Sequence, residues 1–199
     1  MGRAFLTIES QDTRTVDERD LLGRIRQGDQ GAFDAIFREH YASLVRCAEA
    51  MLRRRDVAEE IVQEVMLALW QKRDTLVVED SLRSYLFRAT RNRSLNHLRH
   101  AAIERRAEPE LSAAEPPDAP APAALVDEEI EVALRSAVSG LPPRCREVFE
   151  LSRIHGLRYG EIASTLGISV KTVEAQMGKA LRILRERLAP WLPDPDHAS

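Results

Sequence analysis

RYGEIASTLGISVKTVEAQMGKALRILRERL, Arg158 to Leu188, is either one amphipathic helix flawed by a glycine or two helices held at a fixed angle. The choice decides the fold. Ile162, Ala163 and Leu166 share one face of a short run, and Gly167 comes directly after it. A glycine there ends a helix in the left-handed conformation without a Cβ penalty. Ile168 is placed to plug the corner. Ser169 is placed to cap a second helix, its hydroxyl reaching an amide two or three residues on. A continuous helix wastes both residues, whereas two helices at an angle use both. Ala163 is small where the two must approach closely. The stretch therefore predicts a helix-turn-helix.

A helical wheel sorts the second helix into two faces. Val173, Met177, Ala180, Leu181 and Leu184 turn inward. Lys171, Thr172, Ala175, Gly178, Lys179 and Arg182 turn outward, with Glu174 on the flank. Cations on such a face meet phosphates, and small residues let a helix settle into a major groove.

Upstream of this stretch the same period recurs. Ile130, Ala133, Leu134 and Ala137 draw one apolar stripe, ended by Gly140. Pro142 and Pro143 open the next helix, where proline costs nothing. Cys145, Val148, Phe149 and Ser152 form its inner side, and Gly156 closes it. In the N-terminal half, Phe33, Ile36, Phe37, Tyr41, Leu44, Val45, Ala48, Met51 and Leu52 recur at three- and four-residue steps. A second run starts from Asp56, read as an N-cap with Glu59 three residues later, with Val57, Ile61, Val65 and Leu69 on one face. A third starts at a cap, Ser81, with Leu82, Tyr85, Leu86, Ala89, Leu95 and Leu98 as its inner stripe.

Between the halves, Glu104 to Glu129 is dominated by Ala, Pro and Glu. Such a segment cannot bury enough apolar surface to offset its ordering entropy, and it reads as a flexible linker. About 25 residues at ~3.1 Å each give a reach on the order of 75 Å. No Val/Ile/Thr alternation with hairpin turns appears. The expected fold class is all-α: two small helical domains joined by a Pro/Ala-rich linker. The expected divisions are an arm over 1–19, a helical bundle over 20–101, the linker over 102–127, the helix-turn-helix domain over 128–192 and a tail over 193–199.

Composition narrows the function. The 199 residues carry 29 Lys plus Arg against 32 Asp plus Glu, so any nucleic-acid signal is local. Two cysteines far apart, Cys47 and Cys145, make neither a disulfide framework nor a metal set. His97 and His100 lack a neighbouring Cys or carboxylate, and no metal or cofactor is expected. There is no nucleotide loop, no Ser/His/Asp arrangement and no paired catalytic carboxylates, so the chain is not expected to be an enzyme or to take a small-molecule substrate. No apolar run approaches the ~20 residues of a membrane span, and no signal peptide is evident, which together suggest the cytoplasm.

Two local charge patterns carry more. The helix from Asp56 shows Glu60, Gln63, Glu64 and Leu67 on its outer side, with Trp70 at its end. Spacing alone leaves two readings: a solvated acidic face with Trp70 in the core, or a docking surface for a basic, partly apolar protein. The helix from Ser81 holds Arg83, Arg88, Arg91, Arg93 and Arg99 without one acid before Ala102. Arg91, Asn92, Asn96 and Arg99 offer donors to phosphates and base edges.

Taken in order, AFDAIFREHYASLVRCA, DVAEEIVQEVMLALWQKR, SLRSYLFRATRNRSLNHLR and the Leu141–Leu188 stretch resemble the bacterial extracytoplasmic-function (ECF) sigma factors, small members of the main sigma family of RNA polymerase. The first three resemble region two and the last resembles region four. The resemblance implies that Glu60, Gln63, Glu64, Leu67 and Trp70 dock on core RNA polymerase, at the β′ clamp, with the β subunit as a further partner. It implies that Arg83, Arg88, Arg91, Asn92, Asn96 and Arg99, with the loop RDTLVVEDS before them, melt the minus-ten element and pocket a flipped base. Ser169, Lys171, Thr172, Glu174, Ala175, Lys179 and Arg182 would read the minus-thirty-five element of promoter DNA. It also implies an anti-sigma factor, membrane-bound forms included, that holds the protein until a signal releases it. The sequence departs from the usual pattern at Tyr85, where tryptophan is common, and at Glu174-Ala175-Gln176, which bears on the promoter sequence read. Two rivals compete: a stand-alone DNA-binding regulator and a helical adaptor with no DNA role. A sensor domain needs neither the basic helix nor the acidic face, and an adaptor has no use for the Lys171 to Arg182 face.

Overall fold

The computed structural model describes residues 10–78, 80–107 and 125–191. Among them are eight α-helices, one short 3-10 helix and no strand: α1 (Ser10–Arg26), α2 (Gln30–Leu52), α3 (Arg55–Gln71), α4 (Leu82–Ala107), α5 (Leu125–Ser139), α6 (Pro143–Arg153), α7 (Tyr159–Leu166) and α8 (Val170–Leu188), then Ala189–Trp191. The chain divides into two compact units, Met1–Ala113 and Ala114–Ser199. Residues 1–9 of the expected arm, 108–124 of the expected linker, and 192–199, which include the whole expected tail (193–199), lie outside the described residues.

In the first unit α2, α3 and α4 pack on one another and α1 lies against α2. Ile25, Ile36, Leu44, Val62, Met66, Leu69, Leu82, Leu86 and Phe87 are buried at its centre. Asp29 starts α2: its carboxylate accepts the Ala32 amide at 3.2 Å and the Arg24 Nε–H at 2.8 Å. The Arg24 bond, and then the Ala32 amide, hold the Asp29 carboxyl below the usual carboxylate range.

Three expectations need correcting here. The helix α1 begins at Ser10, inside the segment read as an arm; its polar sequence has no apolar period to reveal it, and the helix lies against α2. Asp56 is not the N-cap of α3. Arg54 occupies that position, Asp56 sits in the first turn bonded to Arg54, and Glu59 pairs with Arg55 at 2.9 Å. On α4 the buried line runs through Leu82, Ser84, Leu86, Phe87, Thr90 and Ser94, while Tyr85, Ala89, Leu95 and Leu98 are half-buried. Apolar periodicity does not mark this line because three of the buried residues carry hydroxyls. Ser94 returns its hydroxyl to the Thr90 carbonyl at 2.9 Å, a bond within the helix that lets a polar residue be buried. Ser81 caps α4 as expected, accepting the Ser84 amide at 3.1 Å.

Both helices flanking the expected linker reach into it. α4 runs to Ala107 and α5 starts at Leu125, for alanine, glutamate and arginine are good helix formers.

In the second unit α8 is the spine, with α5, α6 and α7 packed on it. Ala137, Leu141, Cys145, Ala180 and Leu184 form one buried cluster, flanked by Val138, Phe149, Ile183 and Leu188. Leu134, expected on the inner stripe of α5, is exposed, since the buried line passes through Ala137 and Val138 instead. Gly140 comes after α5 without a positive φ. Its missing Cβ matters because the Arg187 guanidinium lies where that atom would stand, donating to the Ala137 carbonyl at 3.2 Å.

Candidate promoter-binding and polymerase-docking surfaces

The corner between α7 and α8 forms as the glycine and serine require. Gly167 takes φ 65° and ψ 40°, in the left-handed region, and its amide bonds to the Ala163 carbonyl. The Ile168 amide bonds to the same carbonyl at 3.0 Å. Glu161 closes the other end of α7 by accepting the Arg158 amide at 2.9 Å. Ser169 caps α8: its Oγ accepts the Thr172 amide at 3.1 Å and lies 2.8 Å from the Thr172 hydroxyl. Removing such a cap costs about 1 kcal/mol.

The two faces of α8 separate as the wheel predicts. Val173, Met177, Ala180 and Leu184 are buried and Leu181 is half-buried. Ser169, Lys171, Thr172, Glu174, Ala175, Gly178, Lys179 and Arg182 are exposed. Gln176 sits between the two faces. Its Oε1 accepts the Cys145 thiol at 3.1 Å, so the last residue of the Glu174-Ala175-Gln176 triplet is tied to α6. This helix presents cations beside small residues on a face of its own, which suits phosphate contacts with close approach to base edges.

On α3, Glu60, Gln63, Glu64 and Leu67 are exposed, Leu67 by 55%. Trp70 is half-buried. Its ring meets Phe33 edge-on at 5.3 Å, and the Arg73 guanidinium lies over it at 4.8 Å. Phe33 continues along α2 to Phe37, which stacks on Tyr41 at 4.5 Å. Trp70 is thus shared between core and surface, and the acidic face borders a partly exposed aromatic row. Glu64 also faces Arg93 of α4 at 3.5 Å. An exposed pair of this kind is worth about 0–1 kcal/mol.

On α4, Asn92, Asn96 and Arg99 are exposed, while Arg83, Arg88 and Arg91 are half-buried. Asn92, Asn96 and Arg99 fall on one helical line, and Arg99 donates to the side-chain Oδ1 of Asn96 at 3.1 Å. Ile103 extends that line as an exposed apolar residue. In the loop before α4 Leu76 is buried, and Val77 beside it is 74% exposed. The Arg26 guanidinium of α1 holds the Leu76 carbonyl at 3.0 Å, and the Glu18 carboxylate of α1 accepts the Arg83 amide at 3.1 Å. Sequence reasoning missed Glu18 and Arg26, for their partners lie far along the chain and no local period marks them. Among the described residues no cluster of His, Cys, Asp or Glu is arranged to hold a metal, and no helix is long and apolar enough to cross a membrane.

Comparison with known proteins places these surfaces in a family. Residues 36–103 match the pattern of sigma-70 region 2, and residues 131–184 match that of sigma-70 region 4, together more than half of the chain. The RNA polymerase sigma factor CnrH of Cupriavidus metallidurans is 28% identical over 171 residues, covering 82% of this chain and 90% of CnrH. The probable ECF RNA polymerase sigma factor SigI of Mycobacterium tuberculosis is 32% identical, covering 82% of this chain, which spans 58% of that relative's length. The solved structure of CnrH in complex with the cytosolic domain of CnrY shares the fold, with a TM-score of 0.61 at 24% identity, covering 87% of this chain and 98% of that one. The sigma factor RpoE of Bartonella quintana, solved with the anti-sigma factor NepR, shares it with a TM-score of 0.62 at 22% identity, covering 79% of this chain and 96% of that one. Both regions occur in this chain in family order, on the two units that carry the acidic face and the capped helix pair; the chain belongs to the sigma-70 family and is an ECF sigma factor of RNA polymerase.

Proposed function

We propose that the protein binds core RNA polymerase through Glu60, Gln63, Glu64, Leu67 and Trp70, and directs it to promoters through two separate DNA-reading helices. A sigma factor is a transcription initiation factor and not an enzyme. In this reading residues 20–101 form the region-two domain and residues 128–192 the region-four domain. Arg83, Arg88, Arg91, Asn92, Asn96 and Arg99 engage the minus-ten element as an opened single strand. Unstacking its bases costs a few kcal/mol per base, which contacts to the splayed strand offset. Ser169, Lys171, Thr172, Glu174, Ala175, Lys179 and Arg182 engage the minus-thirty-five element as duplex in the major groove.

The observation that carries this assignment is the segregation of charge on exposed surfaces. The outer side of α3 is acidic and apolar, a poor match for phosphates and a good one for a basic protein surface. The outer side of α8 exposes Lys171, Lys179 and Arg182, and α4 carries exposed Arg99 with half-buried Arg83, Arg88 and Arg91. An anti-sigma factor that holds the protein is the further partner, extended from the B. quintana RpoE, solved with the anti-sigma factor NepR, and from CnrH, solved with the cytosolic domain of CnrY. We assign the protein to the cytoplasm, where polymerase and promoter are found.

Charge reversal tests the docking surface. Glu60→Arg and Glu64→Arg should each abolish co-purification with core polymerase, with an unchanged circular dichroism spectrum. Glu60 serves as the second variant because Glu64 also faces Arg93. Wild-type retention of polymerase by both would remove α3 as the docking surface.

A further inference from the structure

We propose that α1 is a strap that positions the minus-ten loop, with Glu18 and Arg26 as positioning residues that touch no DNA. The inference rests on the minus-ten reading above and deepens it.

The segment from Lys72 to Ser81 joins α3 to α4 and leads into the cationic helix. Two bonds from α1 hold it near its middle and just past its end. Arg26 donates to the Leu76 carbonyl at 3.0 Å, and Glu18 accepts the Arg83 amide at 3.1 Å. The first restrains the backbone beside the most exposed large apolar residue among those described, Val77 at 74%. The second places a carboxylate at the first turn of α4, where the helix has an amide without an intrahelical acceptor and where negative charge is favoured. The strap is itself anchored, for Ile25, next to Arg26, is only 1% exposed.

The consequence is chemical. A loop of this length has many conformations of similar energy, and an unpaired base selects only the one that presents its contacts. Fixing the Leu76 carbonyl and the start of α4 sets the separation between Val77, an apolar surface for a base face, and the donors farther along α4. Binding then costs less ordering entropy, and discrimination among bases rises because fewer alternative geometries accommodate the wrong one. Phosphate contacts made by Arg88, Arg91 and Arg99 do not depend on this separation.

The test uses the full chain assembled with core RNA polymerase. The probe is a fork-junction DNA library with a randomised duplex upstream and a randomised single-stranded non-template segment at the minus-ten position. Bound DNA is sequenced for wild type and for Arg26→Ala, Glu18→Ala, Arg26→Lys and Glu18→Gln. Each alanine variant should lower enrichment at the single-stranded positions by about three- to tenfold, the range for one lost hydrogen bond. Polymerase retention, the upstream duplex preference and the salt dependence of binding should remain as in wild type. Lysine keeps a donor and glutamine keeps an acceptor oxygen, so these variants should recover most of the enrichment. Alanine variants that enrich the same single-stranded sequences as strongly as wild type would overturn the strap. So would an equal loss of upstream preference and thermal stability, which marks general damage, or failure of the conservative variants to recover. If wild type itself retains polymerase but enriches no single-stranded sequence, the minus-ten reading falls first, without reference to any variant.

Discussion

The two cationic helices, α4 and α8, are built in opposite ways. α4 is held from outside itself. Glu18 of α1 takes its first-turn amide, Arg93 faces Glu64 of α3, and Phe87, Thr90 and Ser94 are sunk in the core. Three of its six candidate DNA-contacting residues, Arg83, Arg88 and Arg91, are half-buried. α8 is tied to α6 and α5 through Gln176 and Arg187 on its inner side, but its outward cations are not. Ser169 caps it, Gly167 sets its angle, and among the described residues Lys171, Lys179 and Arg182 have no ion pair. The difference suits the two tasks. Duplex offers a regular groove that a rigid helix with solvated cations can enter. An opened strand has no shape of its own, so the protein must supply one, and that requires a reader braced by its neighbours.

Substitutions sharpen this contrast in order of size. Phe87→Ala removes a fully buried ring from the root of α4 and should cost about 3–5 kcal/mol, read by urea unfolding of the full chain. A loss below about 1 kcal/mol would mean that α4 is not anchored as described. Gly167→Val forces a β-branched residue to φ 65° and should cost about 1–2 kcal/mol in the same assay, with loss of duplex binding. Unchanged stability and binding would show that the corner does not set the α8 angle. Lys179→Ala, on an exposed position with no ion pair among the described residues, should leave stability untouched. It should weaken duplex binding and reduce the slope of log affinity against log salt by about 0.9, one phosphate's worth. An identical slope would take Lys179 out of the groove.

The sequence was most legible where one residue type has one backbone use. Gly167 and Ser169 declared the helix pair, Pro142 and Pro143 declared the start of α6, and both readings hold. It was less legible where structure depends on distant partners. α1 has almost no apolar asymmetry along its length, and the residues that seat it, Glu18 and Arg26, meet positions 65 and 50 residues away. The buried hydroxyls of α4 hid its true inner line, for serine and threonine count as polar in any periodicity, although Ser94 bonds the Thr90 carbonyl within the helix. Trp70 was ambiguous from spacing and proves to serve both core and surface, through Phe33 on one side and Arg73 on the other. Exposure of the acidic face on α3 agrees with the reading of its outer side, but the Glu64–Arg93 contact across to α4 had no signal in either helix alone.

The most direct measurement is in vitro transcription from a random promoter library by core RNA polymerase, with and without this protein. The account predicts transcripts that depend on the added protein and start downstream of two short motifs about two duplex turns apart, the upstream one lost with Lys171→Ala and Lys179→Ala combined. DNA binding by the protein alone, with no protein-dependent initiation by core polymerase, would contradict it and leave a stand-alone DNA-binding regulator in its place.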